Sequence, residues 1–404
     1  MDDVIQQSST GVGRDRPILA IICNGPAPYR THLHRRIVRE VPELQLCSVF
    51  THDAKGGTWG SSLPTDITPV HFGTGETNES QDRPGRALHE WHKGGQIIQW
   101  MKKTGVRVVV LLGYNDAGRL RVLWWCRRNQ VPVFVWGDSN IRGDLARGLR
   151  ALAKRFLLGW VIRQADGMLP CGQLGEAFFK KYGASSGRMF RFPVEPDYSL
   201  IEDLRQQQVE AARVRYGLQP DRNYLIYSGR FAPEKRVDLL LDAFTSIARR
   251  RPQWDLLLIG DGPLRRPLLD RVPEGLRSRI ISTGFIDEQS TICALYGASD
   301  VLVLPSDYEP WALVVNEAAA AGLAIICSDV VGAAAELVCD GRNGRLFPHG
   351  DAAGLAACLL DVTDPAHLPQ MKAASAEVLA AWRRGSDPVA GLRAALRFVG
   401  VLPG

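Results

Sequence analysis

Short apolar runs alternate along most of the chain with longer stretches in which apolar positions recur at helical spacing. Pro17 to Cys23 predicts a buried strand, followed by the turn NGPAPYR and a helix from about Thr31 to Glu40. Further strands are expected at Leu44 to Phe50, Val106 to Leu112 and Val131 to Val135, with helices over Ala87 to Lys103 and Asp116 to Arg128. Strands separated by helices mean a parallel sheet wrapped on both faces. A short strand at Met189 to Phe192 and the segment PVEP at 193–196 read as the end of this lobe and its linker.

The same grammar then restarts. Strands are predicted at Asn223 to Ser228, Asp255 to Ile259, Arg279 to Ser282, Asp300 to Pro305 and Ala324 to Ser328, and helices at Glu234 to Arg250, Asp287 to Ala298 and Pro310 to Ala321. Further helical segments follow Leu355. The expected fold class is therefore α/β, with two Rossmann-like, doubly wound domains facing a central cleft. The expected division is a flexible tail over 1–16, a first domain over 17–195 and a second over 196–404, its final helices packing back on the first. A chain of 404 residues is too long for one core, which agrees with two lobes.

Composition changes this picture little: 45% hydrophobic and 23% charged residues are ordinary globular values. MDDVIQQSSTGVGRDRP lacks the basic start and apolar run of a signal peptide, and no apolar stretch approaches the roughly 20 residues that span a bilayer. Eight cysteines show neither C-x-x-C pairs nor zinc-ligand spacing, as in a reduced, cytoplasmic protein. The net charge of +6 is concentrated between Arg119 and Arg163, which favours an anionic surface partner.

Candidate chemistry concentrates in loops beyond the carboxyl ends of the predicted strands, where open α/β sheets bind ligands. In SDYEPWALVVNEAAAAG, Glu309 and Glu317 form an E-x7-E pair, with Pro310 suited to the first helical position and Gly322 to the C-terminal cap. Eight residues advance roughly 80° net around a helix and about 12 Å along it, so both acids can touch parts of one elongated ligand. The amides of Trp311, Ala312 and Leu313 at the helix start offer an anion site for a phosphate. Two isolated glutamates are more often solvated, but Glu317 sits inside an apolar helix, where an ionised group needs a partner. YSGRFAPEKRVD offers Gly229 for close backbone approach and Arg230 and Lys235 as cations for a diphosphate, each in isolation as readily a surface ion pair. LLLIGDGPLR lacks the full G-x-G-x-x-G fingerprint, which disfavours nicotinamide chemistry. TGFIDE places Phe285 and Ile286 against a base or in the core.

Taken in order, GRFAPEK, IGDGP, TGFIDE, SDYEPWALVVNEAAAAG, SDVVGAAAELV and DGRNGRLF resemble the second half of group 1 glycosyltransferases, glycosyltransferase family 4, with the GT-B fold. The resemblance is carried by residues 223–348, and NGPAPYRTHLHRRI is similar to the family's opening loop and helix. It implies a retaining transfer of sugar from a nucleotide diphosphate sugar to a hydroxyl, with no cofactor and no metal, in agreement with the lack of a D-x-D motif. By the same resemblance Arg230 and Lys235 bind the donor diphosphate, Glu317 the ribose, Glu309 the transferred sugar as the catalytic residue, and Gly25 lets its loop approach the phosphate. Glu309 is then a positioning and charge-stabilising group and not a glycosidase nucleophile, which needs a second carboxylate about 5 Å away. Two departures stand out. Where many relatives carry a His after the fifth strand this chain reads VFVWGDSNIRG, so Asp138 or Asn140 takes that region, joined on the acceptor side by Tyr29 and Arg30; and Ala312 stands where many relatives have Gly.

The acceptor expected is a carbohydrate, a lipid-linked glycan or a small molecule. Alternatives are a nucleotide-sugar hydrolase or epimerase of the same fold, or a non-catalytic nucleotide-sugar binding protein. Asp144 to Asp166 interleaves Arg and Lys with Leu, Phe and Trp at helical spacing, as in an interfacial helix that docks on an anionic membrane at its inner face. The ordinary design of surface helices favours the other reading, a helix packed on the sheet with its basic residues in solvent. No motif for nucleic acid accompanies the charge.

Overall fold

The structure, a computed structural model, describes residues 16–52, 65–73, 75–76 and 85–404. The expected tail over 1–16 lies outside these except for Arg16. The first lobe runs β1 (Ile18–Cys23), α1 (Pro28–Glu40), β2 (Gln45–Phe50), β3 (Pro69–His71), α2 (Ala87–Thr104), β4 (Val106–Leu112), α3 (Ala117–Arg128), β5 (Val133–Gly137), α4 (Gly148–Gln164), β6 (Gly167–Pro170) and α5 (Gln173–Lys181). Two helices, α6 (Ser199–Glu202) and α7 (Gln206–Tyr216), lead into the second lobe. That lobe comprises β7 (Asn223–Ser228), α8 (Val237–Ile247), β8 (Trp254–Ile259), α9 (Arg265–Asp270), β9 (Ile280–Gly284), α10 (Gln289–Gly297), β10 (Val301–Leu304), α11 (Leu313–Ala320), β11 (Ala324–Ser328), α12 (Ala334–Leu337) and β12 (Gly344–Phe347). Three helices close the chain: α13 (Ala352–Val362), α14 (Leu368–Gly385) and α15 (Pro388–Phe398).

Each sheet has six strands, in the orders β3-β2-β1-β4-β5-β6 and β12-β11-β10-β7-β8-β9. Every pairing is parallel. Counted from the first strand of each lobe, both follow the doubly wound order 3-2-1-4-5-6. Strands buried on both faces read as near-continuous apolar runs, which is how β4 (VRVVVLL) and β8 (WDLLLI) appear. In each lobe the order reverses between two central strands, β1 and β4 or β7 and β10, and the crevice beyond their carboxyl ends receives the loops that carry the candidate chemistry.

Two cores result. One covers the face of the first sheet under α2, α3 and α4 (Ile22, Val109, Leu123, Leu158, Val161). The other runs from the α1 face through Phe192 and Tyr198 into the second lobe. The terminal helix crosses back to the first lobe: Phe398 packs on Phe190 at 5.5 Å between ring centroids, and Arg393 Nη1 donates to Glu43 Oε1 at 2.9 Å. Arg36 on α1 ties the linker residue Glu195 to Asp387 at the start of α15, donating to the Asp387 carboxylate at 2.6 Å.

Several element boundaries differ from the sequence reading. Met189–Phe192 forms no strand; Phe190 and Phe192 donate to the carbonyls of Met168 and Pro170, but Pro170 has no N–H with which to continue a ladder. Lys235 lies in a 3-10 turn over Pro233–Lys235, and Arg236 at φ 51° separates this turn from α8. The helix expected from Pro310 begins at Leu313 instead, because the carbonyls of Glu309 and Trp311 are taken outside the helix, accepting from Gly332 at 3.2 Å and Ala333 at 2.8 Å. The short strands β3, β6 and β12 were not expected.

Candidate functional site

The loop after β10 and the turn after β7 are stitched into one surface. Asp307 N donates to Glu234 O at 2.8 Å, and Arg236 Nη1 reaches Asp307 Oδ2 at 2.9 Å. Lys235 Nζ forms an ion pair with Glu309 Oε1, which also accepts from Ser306 Oγ at 3.2 Å. Glu309 is only 8% exposed, so its charge is compensated by a cation and a hydroxyl at the protein's edge. Arg230 stays exposed beside Glu234, 3.2 Å away, and so is less constrained than Lys235. Close backbone approach falls at Gly260, not at Gly229 alone: Gly260 has φ 126°, and a Cβ there would lie 2.0 Å from the Gly229 carbonyl oxygen.

Glu317 is brought to the same helix but not into the Lys235–Glu309 pair. Its Oε1 accepts from Gln289 Nε2 at 2.9 Å and its Oε2 from the Tyr296 hydroxyl at 3.0 Å. Burial pushes its carboxyl up to about 7, only partly opposed by these two hydrogen bonds. Of the expected anion-binding amides, Leu313 N opens α11, whose first internal bond runs from Val315 N to Ala312 O; Trp311 and Ala312 precede the helix. The Trp311 side chain is buried and donates to Asn316 Oδ1 at 3.0 Å. Ala312 has φ 79° and ψ 80°, a left-handed backbone that suits glycine. At the end of β9 Phe285 is 46% exposed whereas Ile286 is buried, so of the two only Phe285 presents a face to solvent.

The first lobe supplies the opposite wall. In the loop after β1 Gly25 is buried, and its carbonyl accepts from Arg30 Nη1 at 2.6 Å. Burial works against the Arg30 charge, but Tyr29, Cys23 and Asp138 outweigh it and hold the guanidinium above its usual range. Arg30 Nε is buried and donates to no described protein atom. Burial likewise raises the Tyr29 hydroxyl, opposed by Arg30. Asp138, directly after β5, keeps accessible surface, yet the surrounding protein raises its carboxyl by desolvation against the pull of Arg30. Tyr308 of the second lobe stands against the first, where a Cβ on Gly143 would lie 2.5 Å from its ring, and its hydroxyl is raised by burial and then by Asp138 and Glu309.

Asn140 departs from its expected acceptor-side role. Its Nδ2 donates to the carbonyls of Glu309 (2.7 Å), Pro310 (3.2 Å) and Val330 (3.2 Å), while its Oδ1 accepts from Gly143 N at 2.8 Å. Both polar atoms of that side chain are therefore engaged, the amide nitrogen in clamping the two lobes together and the amide oxygen in fixing its own 140–143 loop. Arg142 adds a bond to Asp329 O, and Gln173 N donates to Glu336 Oε1 at 2.5 Å. A single sequence gives no signal for such a clamp, because its partners are backbone atoms 169 to 190 positions away.

Among the described residues one group has metal-ligand spacing: His52, Glu76 and Glu90, with ligand atoms within 4.8 Å of one another. The Lys93 ammonium already sits there, 2.8 Å from Glu76 and 3.2 Å from Glu90, and supplies the positive charge itself.

A family model described as "Glycosyl transferases group 1" matches residues 222–364. The chain is 30% identical over 366 residues to D-inositol 3-phosphate glycosyltransferase 2 of Catenulispora acidiphila, covering 84% of this chain and 82% of that protein. It is 28% identical over 243 residues to the glycogen synthase of Mycobacterium tuberculosis, a match that takes in 58% of this chain but spans only about half of that enzyme, 53%. A solved structure of Anabaena HepE in complex with UDP and glucose superposes with a TM-score of 0.70 at 16% identity, over 96% of this chain and all of that one (100%), a likeness of fold.

Proposed function

Since the chain belongs to the group 1 glycosyltransferases, we propose that it transfers a sugar from a nucleoside diphosphate sugar to an acceptor hydroxyl, with retention of anomeric configuration and without a metal. The observation that carries this reading is the Lys235–Glu309 pair, held by Ser306 at the junction of the two switch-point loops and covered by the first lobe through Asn140. The UDP in the HepE structure, a relative in fold, supports a nucleotide as a ligand of this chain.

In this mechanism Lys235, Arg230 and the amides at the start of α11 neutralise charge as the nucleoside diphosphate departs, acting as fixed dipoles and cations rather than through a divalent ion. Glu317 and Gln289 face the ribose hydroxyls, and Phe285 the base. The Glu309 carboxylate, aligned by Lys235 and Ser306, holds the transferred sugar and stabilises positive charge at the reacting carbon. The acceptor enters along Asp138, Tyr29 and Arg30. Its hydroxyl attacks from the face the diphosphate leaves, and the departing phosphate oxygen takes the proton, so no protein base is required.

Release of nucleoside diphosphate from UDP-, GDP- and ADP-sugars, followed in EDTA with and without sugar and lipid-linked acceptors, tests this. Release that needs an acceptor, gives a product with the donor's anomeric configuration and falls at least about 100-fold in Glu309→Gln supports the proposal. Acceptor-independent release would make the protein a hydrolase, an inverted product would remove the retaining mechanism, and activity only with a divalent ion would remove the metal-free one.

A further inference from the structure

Helix α4 turns an apolar stripe into water. Its inner side is fixed by Leu158 and Val161, which are buried in the core of the first lobe. At 100° per residue Leu149, Leu152 and Phe156 fall within roughly 60° of one another, roughly opposite the side that carries Leu158 and Val161. They are 84%, 50% and 69% exposed, and Leu145 in the approach to the helix is 73% exposed. An amphipathic surface helix has the reverse arrangement, with polar residues away from the core.

The exposure is built into the fold. Asp144, at the entrance to the helix, accepts from Lys154 Nζ, Lys181 Nζ and the Tyr182 hydroxyl, each at 2.7 Å, which anchors the segment. By the same helical count Arg155 lies roughly 60° from Leu152 at one edge of the stripe and Arg150 roughly 100° beyond Leu149 on the other side; both are exposed, and neither has an ion pair among the described residues. Arg147, immediately before the helix, is likewise exposed and unpaired among them. The core beneath α4 is separate from the one continuous with the second lobe.

We propose that this face of α4 docks on an anionic lipid bilayer, the helix lying in the plane of the interface. Leu149, Leu152 and Phe156 enter the boundary between headgroups and acyl chains, while Arg150 and Arg155 meet lipid phosphates. The unpaired arginines decide between occupants: a second copy would set these same charges against each other, whereas an anionic surface neutralises them. Docking is independent of the reaction proposed above, since nucleotide binding in solution does not require it.

The test is cosedimentation of the full chain with vesicles of phosphatidylcholine alone and of phosphatidylcholine with about 30% phosphatidylglycerol, repeated in about 0.5 M NaCl, where the Debye length falls to a few ångströms. The bound fraction should be at least tenfold greater on the anionic vesicles and weaken in salt. Leu149→Ser with Phe156→Ser, or Arg150→Glu with Arg155→Glu, should each lower it about tenfold, with thermal unfolding and nucleotide binding as in the wild type. Failure to bind anionic vesicles, or binding that neither pair of substitutions alters, overturns the proposal. A wild-type dimer in sedimentation velocity that the Leu149→Ser, Phe156→Ser variant dissolves, with no vesicle binding, assigns the face to a second copy and also overturns it.

Discussion

Ala312 carries a methyl group where the backbone, at φ 79°, suits none. Such a conformation costs a non-glycine residue of order 1–3 kcal/mol, against the 0.5–1 kcal/mol that glycine loses in conformational entropy on folding. Ala312→Gly should therefore stabilise the protein by about 1 kcal/mol and raise Tm by about 1–2 °C in a thermal scan; an unchanged or lower Tm would show that the Ala312 methyl makes contacts that offset the strain. Glu317 predicts a pH dependence. Its carboxyl lies at about 7 in the folded protein against 4.5 ordinarily, so between these values the folded state holds a proton that the unfolded chain has released. The stability associated with this proton is fully present below pH 4.5 and is lost as pH rises through about 7. Glu317→Gln lacks that titration and should gain on the wild type by up to about 3 kcal/mol between pH 5 and 8 in denaturant titrations of the ligand-free protein. A constant difference across that range would contradict the assignment. The sequence made Glu317 legible as a charge inside an apolar helix; it could not show that Tyr296 and Gln289 supply the partners, because these come from a different helix.

Elements were legible wherever the apolar pattern was long. β4, β7, β8 and β11 stand where the runs predict them. β3, β6 and β12 are short and include Pro or Gly, and only pairing to a neighbouring strand makes them strands. The late start of α11 has the same origin, since Pro310 would suit a first helical turn but backbone bonds from Gly332 and Ala333, and the Asn140 amide, hold 309–311 out of the helix. Asn140→Ala therefore removes the bonds that shape the Glu309 loop and should cost about 1–3 kcal/mol in stability, read as a lower Tm together with several-fold weaker donor binding. If Asn140 instead contacts the acceptor, the variant will keep its Tm and donor affinity and raise only the acceptor KM.

At the scale of the molecule, the alternation of strand and helix was enough to expect two parallel α/β lobes in tandem, while their shared strand order was not readable, since β3, β6 and β12 lay outside the expected strands. What joins the lobes was not readable: Arg36 with Glu195 and Asp387 at the linker, and Asn140 and Arg142 at the cleft, are contacts between distant segments. Those joints hold the first lobe's Asn140 and Gly143 against the second lobe's Glu309 and Tyr308, the contact that a donor held by one lobe and an acceptor held by the other would need. The central claim is that Lys235 and its neighbours form a donor site needing no metal, and calorimetric titration of UDP, GDP and ADP in EDTA into the wild type and Lys235→Ala tests it most directly. The account predicts that one nucleoside diphosphate binds the wild type in EDTA and binds the variant about 10- to 100-fold more weakly, the loss of one charged hydrogen bond. Binding that appears only with a divalent ion, or that is equal in both proteins, would contradict it.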